Sequence, residues 1–170
     1  MKTFILLCAI PGSGKSTWAE QYRLTHPHTL IVSSDALRLE LGGRVQNFEH
    51  ESEVWDLYFK RIIEYRDKYD DVTVIADSTN IQNKFRLFYG QNVTGFDEKI
   101  LVIIKKPIEV ALENNKKRSI NRVVPEEAIR SMYERFEEPT PEVLACYDKY
   151  VRIDKWFDSP NVKDEFHYDV

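Results

Sequence analysis

Short continuous apolar runs alternate along this chain with longer stretches in which apolar residues recur every three or four positions. The first kind reads as strand and the second as helix with one buried face. Strands are expected at residues 3–10, 29–33, 72–76, 99–104 and 150–156. The first of these is apolar throughout, as in a central strand covered on both sides. Helices are expected at 15–26, 36–41, 50–69, 82–91, 107–117, 126–136 and 141–147. Pro27 ends the first by disfavouring helix at the residue before it, and Pro107 opens the fifth. In the long helix, Val54, Trp55, Leu57, Tyr58, Ile62, Ile63 and Tyr65 form an apolar stripe, whose aromatics read as core rather than as stacking platforms. Strands alternating with helices at this rhythm predict a parallel sheet with helices on both faces, and such sheets bind ligands at the carboxyl ends of their strands.

The first strand runs into Pro11-Gly12-Ser13-Gly14-Lys15-Ser16-Thr17 and then a helix. This is a P-loop but for one position: the first glycine of the strict pattern is Ala9. In a P-loop, glycines turn backbone N–H groups toward phosphates, the helix N-terminus adds positive potential, a lysine reaches the outer phosphates and a hydroxyl binds Mg²⁺. Gly12, Ser13, Gly14, Lys15, Ser16 and Thr17 are therefore the candidate ATP contacts, with Ser16 on the metal. The fold class that results is an α/β P-loop NTPase sandwich of three layers with a helical lid, as one domain over residues 1–157, the lid at about 107–136 and a tail at 158–170.

Two further strands should deliver acids to the same edge. Asp35 follows the second and is the candidate general base; read alone it is an ordinary helix cap. Asp77 ends the third, either as a cap or as the acid that holds a metal-bound water with Ser16. Arg38 lies three residues after Asp35 and shares its helix face, either as its salt-bridge partner or as a grip on an acceptor's phosphate. Residues 116–122 are basic and lie between two helices, a pattern that describes either a solvated face or a lid with Arg118 and Arg122 as candidate catalytic arginines.

Charge and cysteine content narrow the class. A net charge of −4 argues against coating nucleic acid or an anionic membrane through bulk electrostatics. Cys8 and Cys146 are the two cysteines, with no metal-ligand spacing around them, so both read as small core residues in a reducing compartment. The early apolar run ends at Pro11, short of a membrane span, and the expected location is cytoplasmic.

These motifs resemble those of the 5′-hydroxyl polynucleotide kinase family. The match runs through Pro11–Ala19, Ser34-Asp35-x-x-Arg38, Asp77-x-Thr79-Asn80, and Arg118 through Val124-Pro125 to Tyr133, covering most of the chain up to about Phe136. The resemblance implies ATP and Mg²⁺ as cofactors, Asp35 activating a 5′-hydroxyl, and Arg38 holding the phosphate 3′ to the acceptor nucleotide. It implies a lid arginine, Arg118, on the donor phosphates, with Thr79 and Asn80 beside the acceptor. It also implies a stand-alone kinase with no phosphatase domain.

The implied substrate is a nucleic-acid 5′ end, without a membrane or an evident protein partner. A basic track of Arg38, Arg44, Lys60, Arg61, Lys84 and Arg86 would support that acceptor if the side chains face one groove. Two other functions fit the same donor motif: a P-loop kinase for a small hydroxylated metabolite, which the acidic balance favours slightly, and an ATP-binding switch that transfers no phosphate.

Overall fold

The computed structural model describes residues 1–42, 50–120 and 122–154. Its centre is a five-stranded parallel sheet in the order β2-β3-β1-β4-β5. The strands are β1 (Lys2–Cys8), β2 (Thr29–Ser33), β3 (Val72–Ser78), β4 (Glu98–Ile104) and β5 (Lys149–Ile153). All five lie where the apolar runs place them, and residue 156, expected to close the last, lies outside the described residues.

Alternation along β1 divides the core. Phe4, Leu6 and Cys8 face one side of the sheet, packing with residues of α2 (Ser34–Gly42), α3 (Glu51–Lys68) and α4 (Asn83–Asn92). Ile5, Leu7 and Ala9 face the other, under Trp18, Ala19 and Tyr22 of α1 (Lys15–Thr25). A strand buried on both faces must be apolar at every position, which is why β1 carries an unbroken hydrophobic run. A third cluster joins Ile10 and Ile81 to Ala111 on α5 (Ile108–Lys116) and Ile129 on α6 (Glu126–Glu134), the two helices of the expected lid. The short helix α7 (Pro141–Leu144) is capped by Thr140, whose hydroxyl accepts from the Val143 N–H at 3.3 Å. No helix among the described residues is long and apolar enough to cross a membrane.

The register fixes where the chain's chemistry lies. Leu7 of β1 pairs with Asp77 of β3, which pairs in turn with Ser33 of β2. The ends of three adjacent strands are therefore level, and the loop after Cys8, the Asp77 carboxylate and the start of α2 meet at one edge. The chain leaves β1 toward β2 but leaves β3 across β1 toward β4, so the crevice opens where connections diverge, as sheets of this type require of a binding site.

Candidate active site

A cavity of about 760 Å³ occupies this edge. Gly12 through Thr17 form its floor, Asp35, Arg38 and Trp55 one wall, and Arg118, Arg122 and the inner face of α6 the other.

The floor is built by backbone. Gly12 and Gly14 sit at φ +84° and +87°, a region closed to most side chains. At Gly12 a Cβ would also collide with the Ala111 carbonyl oxygen, so the loop and α5 touch only because this residue has none. Asn114 on α5 then donates to the Gly12 carbonyl at 2.9 Å. Gly14 stands at the N-cap of α1 without a side-chain cap bond, and the first N–H groups of that helix have no carbonyl of their own to meet. They remain available to an anion. Ala9 replaces the glycine of the strict motif at no structural cost: it is buried, and its N–H donates to the Thr79 carbonyl at 2.9 Å.

Lys15 Nζ lies 2.7 Å from Asp77 Oδ1, and the Ser16 hydroxyl is 3.5 Å from Asp77 Oδ2. Asp77 is 4% exposed, so its charge is balanced chiefly by the lysine of the loop. A hydroxyl beside a carboxylate is a hard-oxygen pair suited to Mg²⁺, which keeps several waters and takes few protein ligands.

On the opposite wall Arg38 is shared between two acids. Its Nη1 donates to Asp35 Oδ1 at 2.9 Å, while its Nη2 and Nε reach Glu51 Oε1 at 2.5 and 3.2 Å. Burial would lower the Arg38 pKa, but the Glu51 and Asp35 carboxylates outweigh it and hold the guanidinium above its ordinary value. Trp55 lies beneath, its ring centroid 5.6 Å from the Arg38 guanidinium carbon. Arg118 crosses from the α5–α6 connection and brings Nη2 to 4.0 Å from Asp35 Oδ2. Burial and the neighbouring Arg122 pull the Arg118 pKa down, against the pull of Asp35 and Asp77. Asn115 braces that connection, exchanging hydrogen bonds with Val124 at 2.7 and 2.9 Å.

The sequence-predicted residues thus divide. Lys15, Ser16, Asp35, Arg38, Thr79, Arg118 and Arg122 all line the cavity, and Asp77 joins it through Lys15 and Ser16. Asn80 and Arg86 stand elsewhere. The Asn80 amide is buried, donating to the Leu7 carbonyl at 3.0 Å and to Ser78 Oγ at 2.7 Å, and thereby bolts the end of β3 to β1.

Arg86 requires a larger correction, because it is 0% exposed. Its Nε donates to the Asn80 carbonyl at 2.9 Å and its Nη1 to the Glu137 carbonyl at 2.7 Å, with the Phe136 ring 5.3 Å away. It ties the loop after β3 to the chain leaving α6 rather than meeting an acceptor. The basic track breaks with it. Lys60 and Lys84 are exposed, Arg61 pairs with Glu40 at 3.3 Å, Arg44 lies outside the described residues, and Arg38 is the member that reaches the cavity.

Three residues on the cavity wall or beside it give little sign of their place in the sequence. Glu51 lies thirteen residues beyond Arg38, past a polar loop that hides the pairing. Trp55 belongs to the α3 stripe yet turns part of its surface to the cavity. Lys106 is buried at the end of β4 and lines the cavity, and its place directly before Pro107 is the available signal.

Comparison with known proteins agrees with this architecture. Among solved structures, Kti12 of Chaetomium thermophilum, in complex with ADP-AlF3, superposes with a TM-score of 0.70 at 17% identity, covering 96% of this chain and 95% of that one. A chain of the Pnkp1/Rnl/Hen1 RNA repair complex matches with a TM-score of 0.63 at 19% identity over 79% of this chain. The present chain spans only 44% of that one's length. A gluconokinase from Sinorhizobium meliloti 1021 matches with a TM-score of 0.60 at 16% identity, covering 96% and 88%. At such identities these matches establish the fold, an α/β P-loop NTPase sandwich. The model of the AAA domain family matches residues 4–139, from β1 through the end of the α5–α6 segment, and the chain belongs to that family.

Proposed function

We propose that the protein is an ATP- and Mg²⁺-dependent kinase that transfers the γ-phosphate of ATP to the 5′-hydroxyl end of RNA or DNA. The observation that carries this reading is the Asp35–Arg38 pair on one wall of the cavity whose floor is the phosphate loop. An Asp poised to take a hydroxyl proton, beside an arginine able to grip a phosphate, is what an acceptor with both groups requires.

Backbone N–H groups of residues 12–17 hold the phosphates, and Lys15 leaves or shares Asp77 to neutralise their charge. Mg²⁺, held by Ser16 and through water by Asp77, would supply further charge neutralisation between the outer phosphates. Asp35 accepts the proton of the acceptor hydroxyl as its oxygen bonds to the γ-phosphorus and the bond to the departing ADP oxygen breaks. Arg118, already directed at Asp35, adds positive charge where the transferring group spreads negative charge over its oxygens. Arg122 lines the same wall. Arg38 orients the acceptor through its adjacent phosphate.

A second reading, a kinase for a small hydroxylated metabolite, is favoured by one observation: Glu51 already occupies part of the Arg38 fork. Among the structural matches are a gluconokinase and a shikimate kinase. The deciding experiment offers labelled γ-phosphate ATP and Mg²⁺ to a 5′-hydroxyl oligonucleotide, the same oligonucleotide with a 5′-phosphate, and a panel of hydroxylated metabolites. Label on the 5′-hydroxyl oligonucleotide alone supports the proposal; label on a metabolite alone replaces it with the second reading.

A further inference from the structure

We infer that Trp55 is the platform on which the terminal nucleobase of the acceptor stacks, so that the site recognises a ring as well as a hydroxyl and a phosphate. The inference rests on the polynucleotide reading above and adds to it a specificity-determining residue.

Four observations converge on Trp55. It is the aromatic residue of the described cavity lining, where the floor and the near wall are otherwise glycine, hydroxyl or charge. It is only half-buried, so part of its ring faces the cavity rather than the core below α3. The orientation is fixed from behind by Tyr58, set edge-on at 75° with centroids 5.3 Å apart, and Tyr58 is itself locked by a 2.9 Å hydrogen bond to Ser78. Finally, the ring lies 5.6 Å from the Arg38 guanidinium, which is bonded to Asp35.

A platform in that place is one side chain away from the group that takes the proton. The sheet order sets the opposite wall. α2 and α3 follow β2 at one edge of the sheet, whereas α5 and α6 follow β4 on the far side of β1, and Val124, Pro125, Ala128 and Met132 present an apolar face from there. Stacking on a tryptophan is favourable for any base, because every base has a π-face. The Arg38 guanidinium, 5.6 Å from the ring centroid, adds cation–π attraction that holds Trp55 beside Asp35, and a base stacks on the part of the ring that it leaves uncovered.

The test is steady-state kinetics on a 5′-hydroxyl oligonucleotide and on the same oligonucleotide with an abasic terminal nucleotide, using wild type, Trp55→Ala and Trp55→Phe. For wild type, KM is expected to be about tenfold lower for the intact acceptor than for the abasic one. Trp55→Ala should raise KM for the intact acceptor by more than for the abasic one, so that the preference of about tenfold falls to near unity while KM for ATP stays unchanged, and Trp55→Phe should restore most of the preference.

Equal losses on both acceptors in Trp55→Ala would make Trp55 a packing residue and overturn the inference. Wild type that phosphorylates both acceptors equally well overturns it while the polynucleotide reading stands. Transfer to neither oligonucleotide removes both.

Discussion

The two walls of the cavity are held by different means. On the donor side the loop is shaped by backbone: glycines in left-handed conformations, a close approach to α5, and a buried Lys15–Asp77 pair. On the proposed acceptor side Asp35, Arg38 and Glu51 hold one another through charged side chains, Arg38 as covered as Lys15 and the two carboxylates partly exposed. Phosphate is the same in every substrate, so a rigid, largely backbone cradle serves it without adjustment. An acceptor differs from one enzyme to the next, and side chains that now satisfy each other must exchange those bonds for bonds to it. Shape on one side and exchangeable charge on the other arise from these two tasks.

The contrast can be broken most forcefully at Lys15. Lys15→Ala removes the cation that balances Asp77 and, in the proposed reaction, meets the phosphates, and transfer should fall by roughly a hundredfold or more in a labelled-phosphate assay. Retained activity would dismiss the role given to the donor side. A smaller loss is expected from Gly12→Ala, which adds strain on the order of 1–3 kcal/mol at φ +84° and drives a methyl against the Ala111 carbonyl. ATP affinity measured by titration should drop about tenfold, while the acceptor wall is left intact.

Glu51→Gln acts on the other side. With half of the Arg38 fork released from a competing carboxylate, KM for the acceptor should fall roughly threefold to fivefold, the scale of a partly exposed ion pair, with ATP affinity unmoved. A change in ATP affinity instead would mean that the two walls are not independent.

The smallest effect on transfer is expected at the foundation of the donor loop. Burial pushes the Cys8 thiol up from 9.0 to about 11. The thiol ionises more readily in the unfolded chain, so the stability it contributes is complete below about pH 9 and is lost as pH rises toward 11. The melting temperature should therefore fall more steeply over that interval in wild type than in Cys8→Ala, with transfer at neutral pH little changed.

The same contrast explains what the sequence discloses. β1, the glycines and Lys15 are legible because a strand buried on both faces must be apolar and a phosphate loop must have glycine where φ is positive. Asp35 and Asp77 are legible because one follows directly on a strand and the other lies at the end of one, and the parallel register levels those strand ends. Arg86 is not. It lies on a helix beside the exposed Phe85 and near the exposed Phe88, and its charge is taken up by the nearby Asn80 carbonyl and by that of Glu137, 51 residues away, which no periodicity reveals. Asn80 is misplaced for a related reason, since its amide meets a carbonyl on a strand 73 residues away. Trp55 stands one position off the fully buried Val54 and Tyr58 series, and a one-residue offset on a helix is enough to turn a core aromatic toward a cavity.

The division of labour between the walls requires that Asp35 take the acceptor proton while the donor wall works without it. Asp35→Asn puts this to the test, with ATP affinity and transfer of labelled phosphate to a 5′-hydroxyl oligonucleotide measured on the same preparation. ATP affinity should equal that of wild type, and transfer should be reduced at least about a hundredfold. Near-normal transfer would show that Asp35 does not take the proton.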